Sequence, residues 1–196
     1  KGRKGMEGTS ASPVYAGDFA TPEQQIGKFD TQTPWESCIT VARQWAWKPN
    51  DELKSPSQCI RTLLQTVGGD GNLLLNVGPM PDGRIEERQV DLLVEIGDWL
   101  EDYGETIYGT EGGPLPPQDW GVSTQDQQRI FLHVLQAPGD QLVLENMPPV
   151  AYVRDYQTGE KLDYQLKKNT LVISLGHVPD NGIDYVLEIG RELSRR

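Results

Sequence analysis

The sequence has 196 residues, with 18 Lys and Arg against 29 Asp and Glu, which gives a formal net charge of −11. The stretches on either side of Thr110 are both acidic. Neither offers the basic face that binding to nucleic acid or to an anionic membrane surface requires. We therefore expect no nucleic-acid partner and no membrane partner. The apolar runs are too short for a transmembrane helix, and two cysteines exclude a disulfide framework.

The first predicted elements are a strand and a helix. Within 35–47 the apolar spacing would suit a helix, but the β-branched run Ile39–Val41 favours a strand followed by a loop. Within 55–69 apolar residues recur at the spacing of one helix face, between a Ser-Pro start and a Gly-Gly end. These residues predict a helix.

A second strand and a second helix follow. The apolar run Asn72–Val77 predicts a strand buried on both faces, and 78–83 predicts a turn-rich loop. Apolar spacing then predicts a long helix from about Glu86 to Tyr103, ended by Gly104. This order of elements is typical of an α/β barrel or a doubly wound sheet.

Beyond residue 110 the pattern changes to short segments separated by turns at the spacing of an all-β sandwich. We therefore predict two domains, residues 1–109 and 110–196. A complete (β/α)8 barrel needs about 250 residues, so the first domain is either a small unit or the C-terminal portion of a barrel. The predicted strands of the second domain are Arg129–Leu135, Gln141–Leu144, Val150–Asp155, Leu162–Lys167, Leu171–Leu175 and Asp184–Ile189.

Carboxylates and tryptophans cluster before Asp51. Asp18 and Glu23 lie in a turn-like stretch, and Trp35, Trp45 and Trp47 follow within a short distance along the chain. This combination suits a sugar, because a carboxyl group can move a proton at the glycosidic oxygen while an indole face covers the apolar side of the ring. From composition alone, the alternative remains open that the tryptophans form core and the acids face solvent.

The other polar groups suggest no site. His133 lies within a predicted strand and is expected to be structural. The glycines of 68–71 follow a predicted helix, whereas a nucleotide-binding glycine loop precedes its helix. No clustered Cys and His residues supply metal ligands, so we expect no metal and no cofactor.

Several blocks resemble glycoside hydrolase family 29, the retaining α-L-fucosidases. They occur in the order found in that family, from about Gly17 to Pro114, and the Thr-Pro-Glu-Gln and Trp-Ala-Trp-Lys-Pro-Asn-Asp forms are similar to the subgroup that prefers α-1,3/1,4-linked fucose. The resemblance implies α/β plus all-β architecture, namely the C-terminal part of a (β/α)8-like barrel followed by a β-sandwich domain. The blocks are Gly17–Gln24, Trp35–Cys38, Gln44–Asp51, Gly69–Pro79, Asp82–Ile85, Ile96–Trp99 and Tyr103–Gly109.

The resemblance also implies the activity and its residues. Glu23 matches the proposed general acid/base, Trp45 matches an aromatic residue that lines the fucose pocket, and Trp35 and Trp47 are further candidates for substrate contact. The aspartate nucleophile belongs to a part of the family that this sequence does not match. The expected partners are therefore a fucosylated oligosaccharide and the N-terminal half of the same enzyme.

Two further expectations remain. A non-catalytic carbohydrate-binding module, with Trp45 and Trp47 as its platform, is the alternative to an enzyme. No signal segment is seen, but because fucosylated glycans are extracellular, the substrate class implies a secreted or periplasmic location.

Overall fold

The computed structural model describes residues 19–176, 178 and 182–192, and it divides into two units, Lys1–Gly104 and Glu105–Arg196. The predicted domain boundary at residue 109 lies a few residues after this division. The prediction that concerns Asp18 falls outside the described residues.

Within residues 19–104, the first unit contains two strands and two helices. They are β1 (Glu36–Thr40), α1 (Pro56–Gly68), β2 (Asn72–Asn76) and α2 (Glu87–Tyr103). A 3-10 turn, Gly104–Thr106, follows α2. β1 and β2 pair in parallel, and α1 packs against both β2 and α2. This confirms the predicted strand, helix, strand and helix in their order.

A further stretch, residues 20–24, runs parallel to β1 along its other side, and we call it the edge segment. Ala20 forms a bridge with Trp35, and Glu23 forms a bridge with Cys38. Backbone bonds of 2.9–3.0 Å, including Cys38 N–H to the Pro22 carbonyl, continue the ladder. The edge segment, β1 and β2 are therefore three neighbouring parallel stretches of chain.

The boundaries of α1 follow from its sequence. Ser55 is the N-cap and accepts a hydrogen bond from the Gln58 N–H at 3.1 Å, while the Gln58 side chain accepts from the Ser55 N–H at 2.8 Å. This capping box satisfies two backbone donors that a helix start leaves without partners. At the other end, the N–H of Gly69 bonds to carbonyls of the last turn.

The two faces of this parallel sheet differ. Ile39 and Val41 are buried on one face, whereas Leu74 on the other face is 44% exposed. Because paired residues of parallel strands share a face, Cys38 and Thr40 lie beside Leu74 and Asn76 on the exposed side, which we call the open face. The prediction that β2 is buried on both faces is wrong for this chain, because none of the five residues of β2 is buried.

The described residues of the second unit form two antiparallel sheets that share one hydrophobic core. The larger sheet has the order β3-β4-β5-β10-β7 and the smaller one β6-β9-β8. Ile130 and Leu187 of the larger sheet and Leu171 and Ile173 of the smaller one are fully buried in this core. The strands are β3 (Glu111–Gly112), β4 (Gly121–Gln125), β5 (Arg129–Val134), β6 (Gln141–Leu144), β7 (Val150–Asp155), β8 (Tyr164–Lys167), β9 (Thr170–Ser174) and β10 (Tyr185–Arg191).

All six predicted strands of this unit are present, with ends that shift by a few residues. β3 and β4 were not predicted, since β4 carries Ser123 and Thr124 where an apolar pattern was required. Both side chains are buried, and the Thr124 hydroxyl donates to the Thr106 carbonyl at 2.6 Å. His133 is buried within β5, and its Nδ1 lies 2.8 Å from an Asp184 carboxylate oxygen, as expected for a structural histidine.

Candidate active site

Glu23 is exposed at the end of the edge segment, next to the open face of the parallel sheet. It is the bridge partner of Cys38, so its side chain shares a face with Cys38 and Thr40. Burial raises the pKa of the Cys38 thiol, and the negative charges of Glu23 and Glu36 raise it further. Glu23 and Glu36 therefore both lie near the Cys38 thiol, Glu36 at the start of β1 and Glu23 towards the end of the edge segment.

Asn76 joins the ends of β1 and β2 to the loop that carries Trp45. Its Nδ2 donates to the Thr40 hydroxyl at 3.2 Å and to the Trp45 carbonyl at 3.1 Å. The Thr40 hydroxyl in turn lies 3.3 Å from the Gln44 carbonyl, to which it donates. We call Thr40 and Asn76 the clasp. The clasp binds the carbonyls on both sides of Trp45, and the Trp45 indole, 37% exposed, remains accessible.

The same loop is held at Asp51. Asp51 is buried and accepts hydrogen bonds from the Gln44 N–H and the Glu52 N–H, both at 3.0 Å. Burial acts to raise the pKa of Asp51, but these backbone donors outweigh it and lower the pKa, so the carboxylate stays ionised at neutral pH. Trp45 therefore lies on a loop fixed at both ends.

Trp47 is half-buried and serves as an anchor. Its Nε1 donates to Glu86 at 2.9 Å, and Glu86 also pairs with Arg88. Arg88 reaches back to the Asp51 carbonyl at 3.1 Å. The start of α2 thus holds the Trp45 loop through Trp47, and the hydrogen bond leaves the Trp47 indole N–H unavailable to a ligand.

Trp35 lies elsewhere. It precedes β1, at the amino end of the strand, and is 1% exposed. Its ring is enclosed by backbone that approaches closely, since a Cβ at Gly27, Gly69 or Gly71 would meet the ring at 2.4–2.9 Å. Trp35 is therefore packed at the amino end of β1. Its ring does not lie with Glu23 and Trp45 at the carboxyl ends of the strands. The prediction of substrate contact by Trp35 gains no support here.

Sequence reasoning missed Thr40 and Gln24 as members of this region. The Gln24 side-chain oxygen accepts from the Thr40 N–H at 3.4 Å, so it ties the edge segment to the end of β1. Asn76 lies near the end of the predicted strand Asn72–Val77, but its hydrogen-bond partners were not predicted. No group of three or more His, Cys, Asp or Glu side chains within the described residues is arranged to hold a metal ion, and no described helix is long and apolar enough to cross a membrane.

The loop after β2 packs directly against the Trp45 loop at Gly78. Both backbone groups of Gly78 bond to the buried Gln89 side chain, at 3.0 and 3.3 Å. A Cβ on Gly78 would lie 2.6 Å from the Trp47 backbone nitrogen. Only glycine lets the two loops come this close, because the atoms in the way belong to backbone.

We expect Gly78→Ala to lower the free energy of unfolding by about 1–3 kcal/mol, since overpacking forces the backbone to move. Gly97→Ala is the matched control, because nothing lies within 4 Å of a Cβ at this position in α2. There alanine should stabilise by up to about 1 kcal/mol through its helix propensity. Urea unfolding followed by tryptophan fluorescence checks both variants, and equal stability of the two would contradict the close approach.

Comparison with known proteins points to a single family. The family model described as Alpha-L-fucosidase matches residues 3–105, just over half of the chain. The Dictyostelium discoideum alpha-L-fucosidase is 28% identical over 141 residues, which cover 67% of this chain and 30% of that protein. The Bos taurus tissue alpha-L-fucosidase is 37% identical over 92 residues, covering 43% of this chain and 20% of that protein.

Solved structures agree in fold. The alpha-L-fucosidase isoenzyme 1 from Paenibacillus thiaminolyticus matches with a TM-score of 0.78 and 31% identity, covering 91% of this chain and 46% of that one. The Thermotoga maritima alpha-fucosidase in complex with fucose matches with a TM-score of 0.67 and 32% identity, covering 81% and 40%. The chain thus spans less than half the length of these relatives. From the family model and these similarities together, this chain belongs to the alpha-L-fucosidase family.

Proposed function

We propose that this chain is the C-terminal portion of a retaining α-L-fucosidase in which Glu23 is the general acid/base. The observation that carries the proposal is the common location of Glu23 and the Trp45 loop at the carboxyl ends of adjacent parallel strands. In (β/α)8 enzymes the active site is built at this end of the strands.

The proposed reaction is a double displacement. The Glu23 carboxyl donates its proton to the glycosidic oxygen while the C1–O bond breaks, and an aspartate from the remainder of the enzyme bonds to C1. The Glu23 carboxylate then takes a proton from water, whose oxygen attacks C1 and releases the aspartate. Retention of this kind requires the two carboxyl groups to lie about 5–5.5 Å apart.

Trp45 would recognise the deoxy position of the sugar. The clasp fixes the backbone around Trp45 while its indole stays accessible. An indole face can pack against the C6 methyl group of fucose, an apolar surface that most hexoses lack. A non-catalytic binding module is less well supported, because Trp47, the second half of its platform, is half-buried and bonded to Glu86.

The open face supports the proposal that the remainder of a barrel completes this unit. Parallel sheets are normally covered on both faces, yet Leu74 is 44% exposed and, among the described residues, β2 pairs with β1 alone. α2 has a similar feature, since Val90 and Val94 form an exposed apolar stripe away from its buried side. Each helix of a closed barrel has two neighbours, and α1 supplies one of them here.

Complementation tests this function. This chain should gain fucosidase activity on 4-nitrophenyl α-L-fucoside when it is co-expressed with the portion of the Paenibacillus thiaminolyticus enzyme that it does not match, and it should have none alone. Trp45→Ala in the complex should raise KM more than it lowers kcat, because it removes binding contact without touching the proton transfer. A complex that co-purifies with native-like stability and lacks activity would contradict the assignment.

The linkage and the location are part of the same proposal. The Thr21–Gln24 and Trp45–Asp51 forms support a preference for α-1,3- or α-1,4-linked fucose, and such glycans support a secreted or periplasmic enzyme. In the active complex, branched oligosaccharides with these linkages should be cleaved faster than an α-1,2-linked one. Faster cleavage of the α-1,2 linkage would contradict the preference.

A further inference from the structure

A polar cavity of about 600 Å³ lies in the second unit, between the ends of three of its strands. Glu111 of β3, Asp126 and Gln127 of the turn between β4 and β5, and Arg191 at the end of β10 contribute to its walls. Its volume falls within the range of small-molecule sites, roughly 300–1,000 Å³. It is separate from Glu23 and Trp45 in the chain, and the proposed reaction does not use it.

Arg191 lines this cavity. Its guanidinium bonds to the Gln125 side chain and its backbone N–H donates to the Gln128 carbonyl at 2.9 Å, so the residue is held in place. Its Nε–H, however, is buried and has no acceptor among the described residues. A buried donor of this kind is costly unless a partner satisfies it.

The strand geometry next to Arg191 is irregular in a way that suits a site. The pairing of β10 with β7 shifts register between Gly190 and Arg191, in the manner of a β-bulge that passes over Ala151 of β7. Bulges bend a strand and re-aim side chains, and they are frequent beside functional sites. The irregular pairing and the donor without a partner therefore both occur at Arg191, which lines the cavity.

The turn that forms another wall is rigid. Asp126 accepts from the Gln128 N–H at 2.8 Å and from Arg129 Nε at 2.9 Å. Burial acts to raise the pKa of Asp126, but these donors lower it, so the carboxylate stays ionised and is already occupied by partners. Asp126 fixes the turn, which leaves Gln127 and Gln128 exposed along the cavity.

The charges of the walls select the class of ligand. An anion at Arg191 would face Glu111 and Asp126, and a cation at these carboxylates would face Arg191. A neutral ligand with many hydroxyl groups can donate to Glu111 and accept from Arg191 and the glutamine amides.

We propose that this cavity is an accessory carbohydrate-binding site, which holds the glycan on the second unit. The choice of a fucosylated glycan as its biological ligand rests on the proposed function, whereas binding of a neutral sugar by the cavity does not. The test therefore measures sugar binding by this chain directly and does not involve hydrolysis.

Titration of the ¹⁵N-labelled 196-residue chain with L-fucose and with N-acetyllactosamine tests the proposal. We expect saturable shifts of the Arg191 Nε–H signal and of the Gln127 and Gln128 signals. Arg191→Lys keeps the charge but loses the Nε–H donor, and Glu111→Gln loses the anionic acceptor, so each should weaken binding about tenfold. Glu145→Gln, at an exposed position in the same unit, is the matched control and should bind as the unmodified chain does.

Three results would overturn the proposal. One is the absence of saturable shifts with either sugar in a chain whose spectrum shows it to be folded. Another is binding that shifts the Trp45 and Trp47 indole signals and is unaffected by the cavity variants, which would locate the sugar at the candidate active site. The third is tighter binding of inorganic phosphate at the same signals, which would identify an anion site.

Discussion

Replacing Glu23 by alanine in the completed enzyme is expected to lower kcat/KM for natural fucosides by about 10²–10⁴-fold, the usual contribution of a general acid/base. The loss should be much smaller for 4-nitrophenyl α-L-fucoside, because its leaving group needs little protonation. Steady-state kinetics with both substrates separate this role from a general loss of structure, which would lower both rates alike.

Glu36→Ala is the control for this experiment. Glu36 is also a carboxylate near Cys38, but it lies at the start of β1, whereas Glu23 lies near the carboxyl end of the sheet. We expect its replacement to change kcat/KM less than tenfold with either substrate. Equal losses for the two variants would remove Glu23 from the reaction.

Replacing Trp35 by alanine is expected to lower the free energy of unfolding of the first unit by about 3–5 kcal/mol, the usual cost of truncating a buried tryptophan. The ring is 1% exposed and fills the space between Gly27, Gly69 and Gly71, so the variant leaves a cavity that backbone cannot easily close. Urea unfolding followed by far-ultraviolet circular dichroism measures the change.

Trp45→Ala is the matched substitution, because the Trp45 ring is 37% exposed and loses far less packing. This substitution should lower the free energy of unfolding by about 1 kcal/mol or less. A small loss of unfolding free energy for Trp35→Ala, or a larger loss for Trp45→Ala than for Trp35→Ala, would show that the packing described for Trp35 is incorrect.

Local signals in the sequence were sufficient for the helices and most strands. The Ser-Pro start of α1 corresponds to a capping box, and the apolar spacing of α2 corresponds to its buried side. β4 was missed because its buried hydroxyl groups bond to backbone that is distant in sequence, as the Thr124 hydroxyl does to the Thr106 carbonyl. The local sequence pattern does not indicate such a hydrogen-bond partner. The exposure of β2 could not be predicted either, because an apolar strand has the same sequence pattern whether or not other elements pack against both of its faces.

The candidate site was only partly predictable for the same reason. The resemblance located Glu23 and Trp45, and the parallel pairing brings their segments to the same end of the sheet. The clasp depends on contacts between residues 36 positions apart in sequence, so its hydrogen bonds could be found only in the structure. Trp35 belongs to a motif of the same resemblance, but a motif does not specify which end of a strand a ring packs against.

The most direct test of the account is the product that Glu23→Ala forms with azide in the completed enzyme. If Glu23 is the acid/base, azide replaces water in attacking the covalent fucosyl intermediate, so activity should be partly rescued and the product should be α-L-fucosyl azide, with retained configuration. A β-L-fucosyl azide would identify Glu23 as the nucleophile, and an absence of both rescue and azide product would show that Glu23 takes no part in the proton transfer.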